Sequence, residues 1–529
     1  MTRIPPPGPR SDRPTAFRRP SPVSRSLALV AALALAGCVN LAPDYHRPDA
    51  AVPSRDSSPT PAATDAAALD WHAVFLDERL RAVVDLAVRQ NRDLRVAALQ
   101  VEQARAAFRQ TDAQRLPSLT ASAGASRGGA AGQVTQQVSM QLALASYELD
   151  VFSRVRNLSA SAEQSLLAAD ETRRSLQISL VAESASAWLT WAADLERQRL
   201  AQQTLESQER SFALTQRRHA AGAVSGLVLA QARTALDSAR ADVAAWPATI
   251  AQDRHALELL LGASLPEAAA PRATDALATV SLLVDLPGGV PSSVLQRRPD
   301  VQAAEHALIA RHADIGAARA ALFPTISLTA SAGTGSSALS GLFKAGSGSW
   351  SLGPSASLPI FDGGARDAAL RQAEVGRDIA LASYDKAIQT AFREVADALA
   401  VRATLAGRLD LQQSLLASAE RQLRLAETQY RAGSTTQLEL LDAQRSLVGA
   451  QQALVTLRLS EQLNRLTLYK VLGGGWQAPT AETGTPATPA AAPSTAPPPA
   501  PMTTGAAQGV DGAATALAAA RRAGWNDQD

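Results

Sequence analysis

One cysteine, three methionines and 4% aromatic residues leave this 529-residue chain little of the chemistry that sulfur or ring stacking supplies. A lone Cys38 rules out an intramolecular disulfide, and zinc-ribbon or iron–sulfur sites need several thiolates. The six histidines are scattered, and His306 with His312 miss the i, i+4 spacing of a helical zinc pair, so they are expected as solvated or satisfied helix residues. No Walker A loop and no dinucleotide fingerprint occur, so energy must come from a partner. Gly124-Ala125-Ser126-Arg127-Gly128 meets the pattern G-x-S-x-G in form only, because it is expected to open a Gly/Ser-rich hairpin loop instead of a strand-to-helix elbow. No catalytic residue, metal site or cofactor is assigned, and the chain is expected not to be an enzyme.

Long apolar runs are also missing. The only one near the start, Leu27 to Ala36, is too short for a permanent bilayer helix and fits a signal-peptide core. The net charge is +2, and its basic excess is local. Six arginines against Asp12 give residues 1–37 a net of about +5 and leave about −3 for the rest, so no nucleic-acid partner is indicated. Leu35-Ala36-Gly37-Cys38 resembles the lipobox of bacterial lipoproteins, with the only cysteine at the place whose thiolate takes the lipid. Several acyl chains anchor stably, at about 0.8 kcal/mol per buried CH₂. Under the sorting rules of such proteins, Val39 after the cysteine implies the outer membrane.

What the chain does have is a duplication. Arg92-Asp93-Leu94 and Pro299-Asp300-Val301 open two copies, with the aspartates 207 residues apart. Ser118 to Gly124 recurs identically as Ser327 to Gly333, while Ala221-Gly222 matches Ala432-Gly433 at an offset of 211. Leu440, Ala443, Leu447, Ala450, Leu454 and Leu457 alternate steps of three and four, the seam of a coiled coil, and Leu229 to Trp246 repeat it in the first copy. No proline interrupts 157–221 or 366–432, so each copy is expected to hold a helix of roughly 100 Å. Gly222 and Gly433 end these helices and turn the chain back at a tip.

Elsewhere the period becomes two. Val138, Met140, Leu142 and Leu144 alternate with small or polar residues, as do Trp350, Leu352, Ala356, Leu358 and Ile360. With the two Ser-Leu-Thr-Ala-Ser-Ala-Gly stretches this makes four strands, apolar on one face and small and polar on the other, the pattern of a membrane barrel. Four strands cannot close a barrel, so other copies must supply the rest. A pair of amphipathic hairpins on a soluble core is the competing reading of that periodicity.

The motifs then become specific in combination: Pro43-Asp44-Tyr45 after the lipobox, Trp71, Phe75, Asn91-Arg92-Asp93-Leu94, Arg298-Pro299-Asp300-Val301, Leu358 to Gly364, and Tyr430-Arg431-Ala432-Gly433 leading to Leu440-Leu441-Asp442-Ala443-Gln444. Together they resemble the TolC/OprM-type outer membrane factors of the NodT-like lipoprotein branch, from Cys38 to about Gly475. The resemblance implies a mainly α chain with a membrane β-barrel contribution, a homotrimer with a twelve-stranded barrel, and a long α-helical tunnel in the periplasm. It implies an exit duct in the cell outer membrane that works with a periplasmic adaptor and an inner-membrane pump of the resistance-nodulation-division type. It also implies a periplasmic gate in the second copy, at Tyr430, Leu438, Glu439 and Asp442. The organisation expected is a signal peptide at 1–37, a lipidated segment at 38–70, one repeat at 71–265, a linker at 266–294, a second repeat at 295–475 and a low-complexity tail at 476–529. The alternative is a structural coiled-coil envelope lipoprotein without channel activity, which leaves the period-two stretches idle.

Overall fold

The structure, a computed structural model, describes residues 39–48, 71–130, 132–272 and 297–474. Cys38, the leader, most of the 266–294 linker and the 476–529 tail lie outside the described residues. The first copy runs through α1 (Trp71–Val74), α2 (Glu78–Gln90), α3 (Arg92–Asp112), β1 (Leu119–Ala130), β2 (Gln133–Glu148), α4 (Arg154–Ala220) and α5 (Gly226–Leu261). The second runs through α6 (Pro299–Ala320), β3 (Thr325–Ser336), β4 (Gly348–Ser357), α7 (Ala365–Ala432) and α8 (Gln437–Val471). The proline-free stretches become helices of 67 and 68 residues, each roughly 100 Å long. No described helix is long and apolar enough to cross a membrane.

The four strands form one antiparallel sheet in the order β1-β2-β3-β4. Its register puts the apolar residues on one face. Ala121, Leu142, Ala332 and Trp350 lie in one row across the sheet, and Leu119, Leu144, Ala330 and Leu352 in another. The opposite face carries Thr120, Ala143, Ser331 and Ser351, with Ser331 and Ser351 sharing a 2.8 Å hydroxyl bond. Apolar side chains on that first face are open, Trp350 to 80% and Leu352 to 62%. β1 and β4 each leave one edge without a partner among the described residues.

Two expectations for this region are corrected. Gly124 to Gly128 are not loop but the middle of β1, because Gly124 pairs with Ser139 and Gly128 with Thr135, and the pairing runs on to Ala130 with Gln133. The last strand ends at Ser357, so Leu358 and Ile360 are not strand residues. Pro359 between them has no N–H to add to a ladder.

The main core joins the ends of both hairpins to the short helices. Trp188 and Leu189 of α4, Leu257 and Leu261 of α5, Leu80 of α2 and Leu466 of α8 are all buried in it. The Trp188 indole donates to the Ala269 carbonyl at 2.9 Å, so the start of the expected linker packs as part of the first copy. Residues 39–48 cross from the sheet to α6. The Val39 N–H bonds the Val151 carbonyl at 3.1 Å, and Arg47 grips Glu305 with two bonds of 2.6 and 2.7 Å. Gly316 lets that segment pass, since a Cβ there would lie 2.7 Å from the Ala42 side chain. His306 is satisfied by the Gln164 amide at 2.7 Å, and His312 stands edge-on to Tyr45.

Candidate functional site at the hairpin tips

Each long helix ends on a left-handed glycine, Gly222 at φ 71° and Gly433 at φ 74°. The next two N–H groups turn back onto the helix. Gly222 and Ala223 bond the carbonyls of His219 and Arg218, and Gly433 and Ser434 bond those of Tyr430 and Gln429. This satisfies carbonyls that a helix end otherwise leaves bare. A Cβ would meet nothing within 4 Å at either glycine, so the demand there is on backbone conformation alone.

The return helices start differently. Ser225 caps α5 with one contact, accepting the Val228 N–H at 3.4 Å. Thr436 caps α8 reciprocally: its hydroxyl accepts the Glu439 N–H at 3.3 Å, and the Glu439 carboxylate accepts the Thr436 N–H at 3.0 Å. The Thr435 hydroxyl also bonds that carboxylate. Asp442 pairs with Arg445 one turn on.

Sequence reasoning missed Arg218. From the last turn of α4 its two Nη atoms donate to the Tyr430 carbonyl at 3.2 Å, and Nη2 also reaches the Arg431 carbonyl at 3.2 Å. Its guanidinium carbon stands 4.6 Å from the centroid of the Tyr430 ring. The carbonyls are those of the α7 C-terminus, where a cation complements the helix dipole. Two more bonds lie on the same stripe of α4: Gln208 to Gln444 at 3.0 Å and Arg197 to Thr456 at 3.0 Å. Positions 197, 208 and 218 lie ten or eleven residues apart, close to three helical turns, so one face of the first hairpin holds the second at three levels. That spacing of polar residues is the signal that was available.

The four expected gate residues are not brought together within one chain. Tyr430 is 5% exposed, under Arg218, and its hydroxyl has no partner among the described residues. Leu438, 55% exposed, lines a groove of 590 Å³ between α5 and α8, whose floor includes Gln208 of α4. Glu439 and Asp442 are exposed, each bound to its own helix as described. Among the described residues no three His, Cys, Asp or Glu side chains cluster as a metal site.

The model of the outer membrane efflux protein family matches residues 83–263 and 290–474, two stretches that follow the two copies. The chain is 42% identical over 462 residues to the probable efflux pump outer membrane protein TtgC of Pseudomonas putida, covering 84% of this chain and 94% of that one. It is 41% identical over 459 residues to the cation efflux system protein CusC of Escherichia coli, covering 85% and 98%. The open state of the MtrE outer membrane channel of Neisseria gonorrhoeae superposes with a TM-score of 0.75 at 37% identity, covering 82% of this chain and 98% of that one. The open-edged sheet, the paired long helices and these likenesses agree, and the chain belongs to the outer membrane efflux protein family, a transporter of the outer membrane.

Proposed function

We propose that three copies of this chain form the exit duct of a tripartite efflux assembly, gated at its periplasmic tip by the second hairpin. The observation that carries this is the sheet: four strands, an exposed apolar face, a hydroxyl-rich face and two unpaired edges. An edge in lipid costs several kcal/mol per unsatisfied backbone group, so the strands must close with other copies, and three give twelve. The proposed domain limits are those read from the sequence, and the Trp188 bond to Ala269 supports a linker whose start lies against the first repeat.

In this reading Leu438 supplies an apolar constriction and Asp442 an acidic ring when three tips converge, while Glu439 serves first as the cap that stiffens the α8 start. Arg218 is the latch that keeps the second hairpin against the first. The groove between α5 and α8 is the docking place for a helical periplasmic adaptor, supported by its 590 Å³ volume and its mix of Leu441, Val448 and Arg445 with small polar residues. The inner-membrane pump is of the resistance-nodulation-division type. Cys38 carries the lipid, a role supported by Val39 being tied to Val151 where β2 passes into α4.

The test is a mass measurement in mild detergent joined to planar-bilayer recording. A conducting trimer is expected; a stable monomer, or a trimer that conducts nothing in every condition including the Arg218→Ala variant, overturns the reading. Cys38→Ser should accumulate as an unprocessed or mislocalised precursor, and normal acylation of that variant would remove the lipid assignment.

A further inference from the structure

A second groove, of 580 Å³, opens between α4 and α7 on α8 near the tips. Arg210 and Arg217 line it from α4, and Arg431 and Glu427 from α7, so three guanidinium groups face one carboxylate. Arg431 takes that carboxylate at 3.2 Å. Among the described residues the Arg217 side chain makes one hydrogen bond, to the Ala213 carbonyl of its own helix at 3.3 Å, and Arg210 lies 3.9 Å from Glu206, which is not part of the lining. The bare carbonyls at the α7 end, which would ordinarily occupy such cations, are already taken by Arg218. Arg210 and Arg217 are seven residues apart and share one face, opposite Arg431 across the groove. Guanidinium forks match the planar acceptor pairs of sulfate, phosphate and carboxylate groups, and donors from two helices favour a ligand of more than one negative charge.

We propose that this groove binds small polyvalent oxyanions, which bridge the first hairpin to the second through Arg210, Arg217 and Arg431. The site itself rests on the groove alone. Its consequence, that a bound oxyanion reinforces the Arg218 latch and favours the closed tip, rests on the gate reading above.

Inorganic sulfate is the probe. Isothermal titration of the full-length assembly in detergent, against chloride at matched ionic strength, should give saturable sulfate binding and none for chloride. Arg217→Gln with Arg431→Gln should weaken it at least tenfold, while Arg424→Gln, an exposed arginine of α7 outside the groove, should not change it. The double variant should keep the mass of the parent assembly, which separates lost binding from lost structure. No saturable heat, equal chloride binding, or undiminished sulfate affinity in the double variant overturns the site. Sulfate added on the tip side of a bilayer should lower conductance in the parent and not in the double variant. Arginine-dependent sulfate binding that leaves conductance unmoved would uphold the site and refute its link to the gate.

Discussion

The two hairpin tips share a turn and its backbone bonds and differ in the side chains around it. Both glycines adopt the same left-handed conformation, and both turns close on the preceding helix. Yet the first tip supplies a cation, Arg218, where the second has Gln429 at the same repeat position. The second supplies an aromatic ring, Tyr430, where the first has His219, which turns inward to the Val224 carbonyl of its own tip at 3.0 Å. The second also gains a reciprocal cap, Thr436 with Glu439, where the first has Ser225 and Val228. Duplication thus supplied the geometry, and divergence of a few side chains made one hairpin a support and the other its latched partner.

Removing the latch should break this comparison most strongly. Arg218→Ala removes the only side-chain donor described between the first hairpin and the α7 carbonyls, and a several-fold rise in single-channel conductance is expected, against little change for Gln429→Ala. Tyr430→Ala should act in the same direction. Tyr430→Phe should be silent, because the ring faces Arg218 while the hydroxyl has no partner among the described residues; a phenylalanine variant as open as the alanine one would show that the hydroxyl matters.

Next in size are the turns. Gly222→Ala and Gly433→Ala should each cost about 1 kcal/mol through the left-handed backbone, equally at both tips, since neither site is crowded. Amide hydrogen exchange of the flanking turns would read this as faster local opening. By the same measurement Thr436→Ala should cost about 1 kcal/mol and Ser225→Ala less, reflecting a reciprocal cap against a single 3.4 Å contact.

The smallest effect concerns pH. Burial and the neighbouring Asp194 carboxylate push Asp253 of α5 up to about 6, and Arg197 opposes them. At the corresponding place α8 carries Asn464, whose amide donates to the Ala398 carbonyl at 3.0 Å. The folded chain therefore keeps a proton on Asp253 that an unfolded chain loses near pH 4. Its contribution to stability is greatest below that and falls as pH rises to about 6. Asp253→Asn gives the first copy the side chain of the second, and it should flatten this part of the dependence. Thermal midpoints at pH 5 and pH 7 would show it; an identical pH difference in parent and variant would refute the proton retained on Asp253.

Much of this was legible without coordinates. Repeat offsets, absent prolines and turn glycines are local or periodic signals, so the long helices, tips and strand alternation were determined by the sequence itself. The sequence erred where a local pattern met a ladder. Glycines at 124 and 128 read as loop, but cross-strand bonding to Ser139 and Thr135 holds them extended. The cap made by Glu439 went unread beside its expected place in the gate, because its cap partner matters only once α8 begins at Gln437. Arg218, Gln208 and Arg197 are marked only by their three-turn spacing, since a polar residue on a helix becomes a latch only when another helix places a carbonyl, amide or hydroxyl within 3.2 Å of it. The same holds for the oxyanion groove, whose charge imbalance arises from residues more than two hundred positions apart in the chain. Periodicity is written along the chain and decides the elements. Pairing between distant side chains depends on which helix faces are brought together, and only the tertiary structure decides that.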